Sequence, residues 1–392
     1  MKMNEKMFAV MREAASLLQK NGAGAATEKI QQTLQGLMPA GAWAGNASAA
    51  RTMRDINPAP NAKADNTGAA GGFVPDLLAR LGIHAPMDGA RFEMPAFAPQ
   101  FDVQEDGSAL APGKFLAGSF TNHAGTRAYK LYVPTAYHGQ ALPLVVMLHG
   151  CTQNPDDFAA GTRLNAIAEE KPCLVLYPAQ AQSANGSKCW NWFNAVDQQR
   201  GQGEPSIIAG MTQEIIKTYH VDAAQVYIAG LSAGGAMAVI MGTSYPELYA
   251  AVGIHSGLPY AAANDLPSAL AAMKGAGAPT ANARLKAIPI IVFHGDRDKT
   301  VHPRNGDHIM TQSMPQHAAA QIKKGQAGAG HPYTQTVHED ADGKVVAEQW
   351  LVHGAGHAWF GGSSRGSYTD GKGPDASQEM MRFFSTQSKS AS

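Results

Sequence analysis

Gly230-Leu231-Ser232-Ala233-Gly234 is the segment of this chain whose residue types most directly suggest chemistry. It follows an apolar run, Gln225–Ala229, and precedes small residues suited to the start of a helix. Glycines on both sides of the serine permit a sharp turn between strand and helix that exposes the serine Oγ. We therefore predict Ser232 as a nucleophile. Such a serine needs a histidine base and a carboxylate that orients the histidine.

A second G-x-S-x-G pattern occurs at Gly362–Gly366 and contains Ser364. It lies in a glycine- and serine-rich loop with no predicted strand before it. The motif has chemical meaning only between a strand and a helix. We interpret Ser364 as a chance match.

Two aspartates compete for the role of the orienting carboxylate. Asp296 and Asp298 both follow the apolar run Ile288–Phe293, and a loop after a late strand is a suitable place for that acid. Asp298 fits a His-Gly-x-x-Asp-x-x-Val pattern, whereas Asp296 would be a turn-forming residue. The sequence favours Asp298 and leaves Asp296 as the alternative.

Two histidines, His353 and His357, follow the last predicted strand. Their spacing of four would suit metal ligation on a helix, but Gly354 and Gly356 lie between them and make a helix improbable. A glycine-rich loop can instead place an imidazole next to a nucleophile. We predict His357 as the base and interpret His353 as a strand-end residue with an ordinary hydrogen bond.

The apolar run Leu144–Leu148 continues into His149-Gly150-Cys151. Glycine lets the chain turn there, so that a backbone N–H can face a developing oxyanion. We expect the N–H groups of Cys151 and Ala233 to form that oxyanion hole. The alternative is a strand-end turn with no further role.

The segment Cys189–Phe193 contains three aromatic side chains in four residues. Aromatic side chains are most often buried, but in a loop they can form the wall of an apolar pocket. The residues leave both interpretations open. The substrate-binding interpretation assigns Trp190 and Trp192 to that wall, together with Trp359 beside the predicted base.

Predicted strands alternate with predicted helices from about residue 115 onward. Several strands are continuous apolar runs, which is typical of a parallel sheet covered on both faces. The pattern predicts an α/β fold with a doubly wound, mostly parallel sheet. The predicted strands are Arg127–Val133, Leu142–Leu148, Cys173–Leu176, Gln225–Ala229, Ala250–His255, Ile288–Phe293 and Val345–Val352, and the predicted helices are Asp156–Glu169, Ser206–Tyr219, Ala233–Tyr245 and Ala376–Thr386.

Composition divides the chain into three predicted regions. Residues 1–38 form a predicted helical extension with an apolar stripe at helical spacing. Residues 39–110 are a predicted flexible linker and irregular segment, and residues 111–392 are the predicted catalytic domain. The N-terminus has charged residues where a secretory signal needs an apolar core, so we expect a cytoplasmic protein.

Charge and composition exclude several classes of function. The 392 residues carry 31 basic and 31 acidic side chains, a balance that suggests neither nucleic-acid nor anionic-membrane binding. No uninterrupted apolar run approaches the roughly 18 residues of a membrane span. Three cysteines without paired spacing do not suggest a zinc site, and we expect neither a metal nor a cofactor.

Together these motifs resemble the polyhydroxybutyrate depolymerase family of esterases, in its type-I α/β-hydrolase form. The resemblance covers roughly residues 115–386. It implies an α/β-hydrolase fold, a triad of Ser232, Asp298 and His357, and a disulfide between Cys151 and Cys189. The matching segments are His149–Gln153, Cys189–Phe193, Gly230–Gly235, His294–Val301 and Gly356–Trp359.

The resemblance implies a serine carboxylic-ester hydrolase that acts through an acyl-enzyme. The favoured substrate is intracellular poly(3-hydroxybutyrate) or its oligomers, and the alternative is a feruloyl- or acetyl-xylan-type ester. An alternative of another class is a binding protein of polyester granules. For each of these functions we expect the apolar stripe of residues 1–38 to contact a second subunit or a polyester surface.

Overall fold

The computed structural model describes residues 112–276, 288–313 and 319–389. The predicted helical extension, residues 1–38, and the predicted linker, residues 39–110, lie outside the described residues. The division of the chain into these regions therefore stays a prediction. The described residues all belong to the predicted catalytic domain.

Among the described residues, ten strands form one sheet and two short strands form a second. In chain order they are β1 Lys114–Asn122, β2 Gly125–Val133, β3 Leu142–Leu148, β4 Leu174–Pro178, β5 Val221–Leu231, β6 Ala251–His255, β7 Ile290–Gly295, β8 Ala319–Gln326, β9 Pro332–Glu339, β10 Val345–Val352, β11 Trp359–Phe360 and β12 Thr369–Asp370. The large sheet has the order β1-β2-β4-β3-β5-β6-β7-β10-β9-β8. Its six central strands run parallel; in spatial order they are β4, β3, β5, β6, β7 and β10. Two strands with antiparallel pairing flank them on each side, β1 and β2 on one side and β9 and β8 on the other.

Both faces of the central sheet are buried, as its apolar runs predict. On β3, Leu144, Val146 and Leu148 belong to one hydrophobic core, and Val145 and Met147 belong to the other. Successive side chains on a strand point to opposite faces, so a strand buried on both sides must be apolar at every position. The predicted doubly wound, mostly parallel sheet is confirmed.

Seven α-helices lie within the described residues. They are α1 Pro155–Thr162, α2 Leu164–Glu170, α3 Gly203–Thr218, α4 Ala233–Ser244, α5 Leu266–Met273, α6 Arg304–Ser313 and α7 Ala376–Ser385. The prediction of a single helix over Asp156–Glu169 is wrong. The chain breaks at Arg163, whose left-handed backbone (φ 56°) ends α1 and precedes α2.

All seven predicted strands are confirmed to within a few residues. The sequence did not predict β1 and β8, which are the edges of the large sheet, nor β9, the short strands β11 and β12, or the helices α5 and α6. On β1 exposed residues are interspersed with half-buried ones, so no apolar run marks the strand. Edge strands of this kind are stabilised by pairing with a neighbour more than by burial of their own side chains.

Candidate active site

Ser232 lies between β5 and α4, as the G-x-S-x-G motif predicts. Its backbone has φ 58° and ψ −117°, an unfavourable conformation for a residue with a side chain. The Ser232 N–H donates to the carbonyl oxygen of His255 at 2.8 Å, and the side chain is partly buried. Strain of this kind is typical of functional sites and of the sharp turn that presents a nucleophile. Ser364 instead lies exposed in the loop between β11 and β12.

Two glycines of the motif allow α4 to approach the end of β3. A Cβ at Gly234 would lie 2.0 Å from the carbonyl oxygen of Leu148 and 2.6 Å from that of His149. A Cβ at Gly230 would lie 2.4 Å from the backbone of Gly234. Any larger residue at either position would force the turn away from β3. The glycines therefore bring Ser232 close to the His149-Gly150-Cys151 segment.

His357 and Asp298 form a close pair. His357 Nδ1 lies 2.6 Å from Asp298 Oδ2, and the aspartate side chain is fully buried. The N–H groups of Thr300 and Val301 both donate to Asp298 Oδ1 at 2.9 Å. These bonds fix the carboxylate, and the carboxylate fixes the imidazole with Nδ1 as donor and Nε2 free to accept a proton.

Two opposing effects act on the pKa of Asp298. Burial raises this pKa, whereas hydrogen bonds and charge interactions with His294 and His357 lower it. The lowering is the larger effect, so the net pKa lies well below its ordinary value. His294 Nε2 lies 3.5 Å from Asp298 Oδ2, while its 2.8 Å partner is the carbonyl oxygen of Val301. The shorter contact makes His357 the main partner of the carboxylate. Asp298 is therefore ionised at neutral pH.

Asp296 and His353 form a second pair next to the first. His353 Nδ1 lies 3.0 Å from Asp296 Oδ2, and its Nε2 lies 2.9 Å from the hydroxyl of Thr334. The N–H of Gly354 donates to Asp296 Oδ1 at 2.7 Å. The two aspartates that compete in the sequence thus bind different histidines. His353 makes the ordinary hydrogen bonds expected of a strand-end residue.

The segment that carries the predicted oxyanion donors is held in several ways. Cys151 follows β3, Ala233 is the first residue of α4, and a disulfide joins Cys151 to Cys189. The N–H of Thr152 donates to the carbonyl oxygen of Ser187 at 2.7 Å. The assignment of the Cys151 and Ala233 N–H groups to an oxyanion hole stays a prediction.

His149 supports the same segment from inside the core. Burial lowers its pKa to about 4, so the ring is neutral at pH 7. Its Nε2 accepts a hydrogen bond from the N–H of Gln180 at 3.1 Å, and its carbonyl oxygen accepts one from Trp190 Nε1 at 3.1 Å. The loop after β3 is therefore fastened to the aromatic segment by both covalent and hydrogen bonds.

The substrate-binding role assigned to Trp190 and Trp359 is corrected by the structure. Their side chains are 0% and 1% exposed and belong to the two hydrophobic cores. Trp190 donates to His149, and Trp359 donates to the Ser377 hydroxyl at 3.0 Å. Tight packing leaves no surface on either ring for a ligand. Trp192 is 6% exposed, and its substrate contact stays a prediction.

Two residues near the site carried no role in the sequence analysis. His255 ends β6 and is fully buried, and only its position at the end of a predicted strand could have marked it. Tyr368 is 44% exposed, has φ 53°, and its hydroxyl lies 3.1 Å from the Thr152 hydroxyl, next to Cys151. No local pattern identifies Tyr368, because the contact spans 216 positions.

The described part of the chain contains neither a metal-binding cluster nor a membrane-spanning helix. In residues 112–276, 288–313 and 319–389, no three or more His, Cys, Asp or Glu side chains are arranged to hold a metal ion. None of the helices in those same ranges has both the length and the apolar character that crossing a bilayer requires.

Comparison with known proteins gives a consistent result. Residues 127–330, just over half of the chain, match the family described as Esterase PHB depolymerase. The chain is 31% identical over 249 residues to poly(3-hydroxyalkanoate) depolymerase C of Paucimonas lemoignei, a match that covers 60% of this chain and 59% of that protein. It is 26% identical over 260 residues to feruloyl esterase B of Neurospora crassa, covering 62% of this chain and 82% of that protein.

A further sequence match and a structural match define the extent of the similarity. Poly(3-hydroxybutyrate) depolymerase of Ralstonia pickettii is 28% identical over 247 residues, 59% of this chain and 50% of that protein. The chain thus spans between half and three fifths of the two depolymerases. The acetyl xylan esterase from Aspergillus awamori superposes with a TM-score of 0.53 at 19% identity, covering 69% of this chain and 99% of that chain. This likeness confirms the predicted α/β-hydrolase fold.

Proposed function

Because the chain belongs to the esterase PHB depolymerase family, we propose that it is a serine carboxylic-ester hydrolase with Ser232, His357 and Asp298 as its triad. These residues follow the parallel strands β5, β10 and β7, whose carboxyl ends meet at one edge of the sheet. The observation that carries the proposal is the 2.6 Å contact between His357 Nδ1 and Asp298 Oδ2 at that edge. It supplies an oriented base on the same side as the strained serine.

In the proposed reaction, His357 Nε2 takes the proton of the Ser232 hydroxyl as Oγ attacks the ester carbonyl carbon. The carbonyl electron pair moves to oxygen, where the N–H groups of Cys151 and Ala233 stabilise it. The C–O bond to the alcohol then breaks, and His357 returns the proton to the leaving oxygen. A water molecule repeats both steps on the acyl-enzyme, releases the acid and restores Ser232.

Hydrolysis of poly(3-hydroxybutyrate) or its oligomers is the proposed use of this chemistry. The family match and the two depolymerase relatives support that substrate class. Feruloyl esterase B of Neurospora crassa supports the alternative, a feruloyl or acetyl-xylan ester. Initial rates on amorphous poly(3-hydroxybutyrate), methyl ferulate and acetylated xylan, measured with one enzyme preparation, distinguish these proposals.

Location and partners belong to the same proposal. Disulfides persist in oxidising compartments and are rare in the cytosol, so the bond between Cys151 and Cys189 favours export over the cytoplasmic location predicted from the sequence. Contact of residues 1–38 with a second subunit or a polyester surface stays a prediction. Cell fractionation tests the location. Co-sedimentation with polyester granules, compared between the full chain and a chain that lacks residues 1–72, tests the contact with a polyester surface, and light scattering of the same two chains tests the contact with a second subunit.

The assignment of the nucleophile has a direct test. Ser232→Ala should lower kcat on a small soluble ester by several orders of magnitude, because only the oxyanion hole and binding would remain. Ser364→Ala is the matched control from the second G-x-S-x-G pattern and should keep most of the activity. A fluorophosphonate should label Ser232 when the site is located by peptide mass. Label on Ser364, or full activity of Ser232→Ala, would refute the proposal.

A further inference from the structure

His255 is a fully buried histidine at the end of β6 that the proposed reaction does not use. Its Nε2 accepts a hydrogen bond from the N–H of Phe360 at 3.1 Å. Since that nitrogen accepts, the ring proton of a neutral imidazole is on Nδ1, which lies 3.1 Å from the Ser256 hydroxyl. Both ring nitrogens therefore have defined partners, and the ring has a single orientation.

The surroundings of His255 keep it neutral. Burial lowers its pKa well below the ordinary value, and the nearby His294 and His357 lower it further. A neutral ring retains the acceptor that the N–H of Phe360 needs. Without an acceptor this buried N–H would lose its partner, which is costly inside a protein.

Aromatic rings enclose the imidazole. The ring of His255 stacks on Phe293 (centroids 5.8 Å apart, planes at 9°) and on Trp359 (5.1 Å, 25°), and it meets Phe360 edge-on at 4.3 Å. Trp359 and Phe360 form β11 and follow His357 by two and three residues. The imidazole thus holds the segment that comes directly after the proposed base.

The backbone of the same residue holds the proposed nucleophile. The carbonyl oxygen of His255 accepts the N–H of Ser232 at 2.8 Å. A Cβ at Gly235 would lie 3.1 Å from that oxygen, so the first turn of α4 packs directly against it. One residue therefore contacts the strained turn with its backbone and the segment after His357 with its side chain.

We propose that His255 is a positioning residue that sets the placement of His357 relative to Ser232. The inference rests on the proposed triad. It assigns to the imidazole a task that a buried apolar side chain cannot perform, because only an acceptor at the Nε2 position can take the N–H of Phe360 and so hydrogen-bond β11 to the end of β6. Loss of that bond lets the His357 loop move, and a displacement of about 1 Å can cost roughly 100-fold in rate.

Two amide substitutions separate this role from simple packing. A glutamine at position 255 can place Oε1 near the position of Nε2 and keep the bond to the N–H of Phe360. An asparagine is one methylene shorter and reaches only the Nδ1 position next to Ser256. We expect His255→Asn to lower kcat on a small soluble ester by about 10- to 100-fold with little change in KM. His255→Gln should recover most of that loss.

A third variant and a control complete the experiment. His255→Phe keeps an aromatic ring but has no acceptor, so its kcat should fall as much as that of His255→Asn. If the amide variants do not fold, the kcat of His255→Phe tests whether the acceptor is required. His338, buried on β9, is a matched control, and His338→Asn and His338→Gln should leave kcat unchanged. Circular dichroism and thermal unfolding establish that each variant is folded.

The possible results are distinguishable from failure of the proposed function. Equal kcat in folded His255→Asn, His255→Phe and the unsubstituted protein would overturn the positioning role. So would equal losses in His255→Asn and His255→Gln, since the acceptor would then not matter. Failure of the triad itself would appear as fluorophosphonate labelling away from Ser232 in the unsubstituted protein, whatever the variants do.

Discussion

Two histidine–aspartate pairs connect the loop after β7 to the loop after β10, and they differ most in burial. In the Asp296–His353 pair the side chains are 35% and 39% exposed, whereas in the Asp298–His357 pair they are 0% and 12% exposed. The donor–acceptor distances are similar, 3.0 and 2.6 Å. Distance alone therefore does not separate a structural pair from a candidate catalytic one.

The environment of each carboxylate explains the difference. Asp298 accepts two backbone N–H bonds as well as its histidine, and it is shielded from water, so its charge acts on His357 in a medium of low dielectric constant. Asp296 accepts one backbone N–H and faces solvent, which screens its interaction with His353. Burial with full hydrogen bonding gives a charge the strength and fixed geometry that catalysis requires.

The largest contrast should come from replacing each carboxylate by its amide. We expect Asp298→Asn to lower kcat by about 1,000- to 10,000-fold, because an amide favours the wrong tautomer of His357. Asp296→Asn should change kcat by no more than about fivefold, since an exposed pair contributes at most ~1 kcal/mol. Steady-state kinetics on a small soluble ester measure both. The reverse ranking would transfer the role of the acid to Asp296.

Acid unfolding sharpens the same comparison. The pKa of Asp298 is lowered in the folded state, so its ionised form stabilises the fold above the unfolded pKa of about 3.9, and this contribution is lost as the pH falls toward the folded pKa. The free energy of unfolding of the unsubstituted protein should exceed that of Asp298→Asn by about 1 kcal/mol more at pH 7 than at pH 3, because between these pH values only the unfolded state takes up the proton. Urea titrations at both pH values measure this difference. A gap that does not shrink in acid would contradict it.

The smallest effect should come from the outer partner of the exposed pair. Thr334→Val removes the hydroxyl that lies 2.9 Å from His353 Nε2 and keeps a similar side-chain shape. We expect a loss of stability of at most ~1 kcal/mol and no change in kcat, because a partly exposed group exchanges this bond for one with water. Thermal unfolding and steady-state kinetics check it. A clear fall in kcat would mean that the exposed pair is coupled to the reaction.

Local sequence was sufficient where a few neighbouring residues determine the structure. The strained turn at Ser232 depends on the glycines beside it, since only they let β3 and α4 approach so closely. The apolar run of β3 and the largely apolar segment of β10 predicted those strands with their observed bounds, Leu142–Leu148 and Val345–Val352. The preference for Asp298 and His357 also came from short motifs, and the structure brings these two side chains together.

The tertiary structure determined which residues from distant segments of the chain contact each other. The two aspartates select their histidines across 57 and 59 positions, a choice that depends on β7 and β10 being neighbours in the sheet. The sequence of Trp190 and Trp359 is compatible with both a buried side chain and the wall of a substrate pocket, and only the packing of the cores showed that both are buried. The position of His255 between two loops has no local signature. Sequence alone thus determined the turns and strands that short-range sterics and periodicity control. Contacts between residues far apart in the chain depend on how the whole sheet assembles.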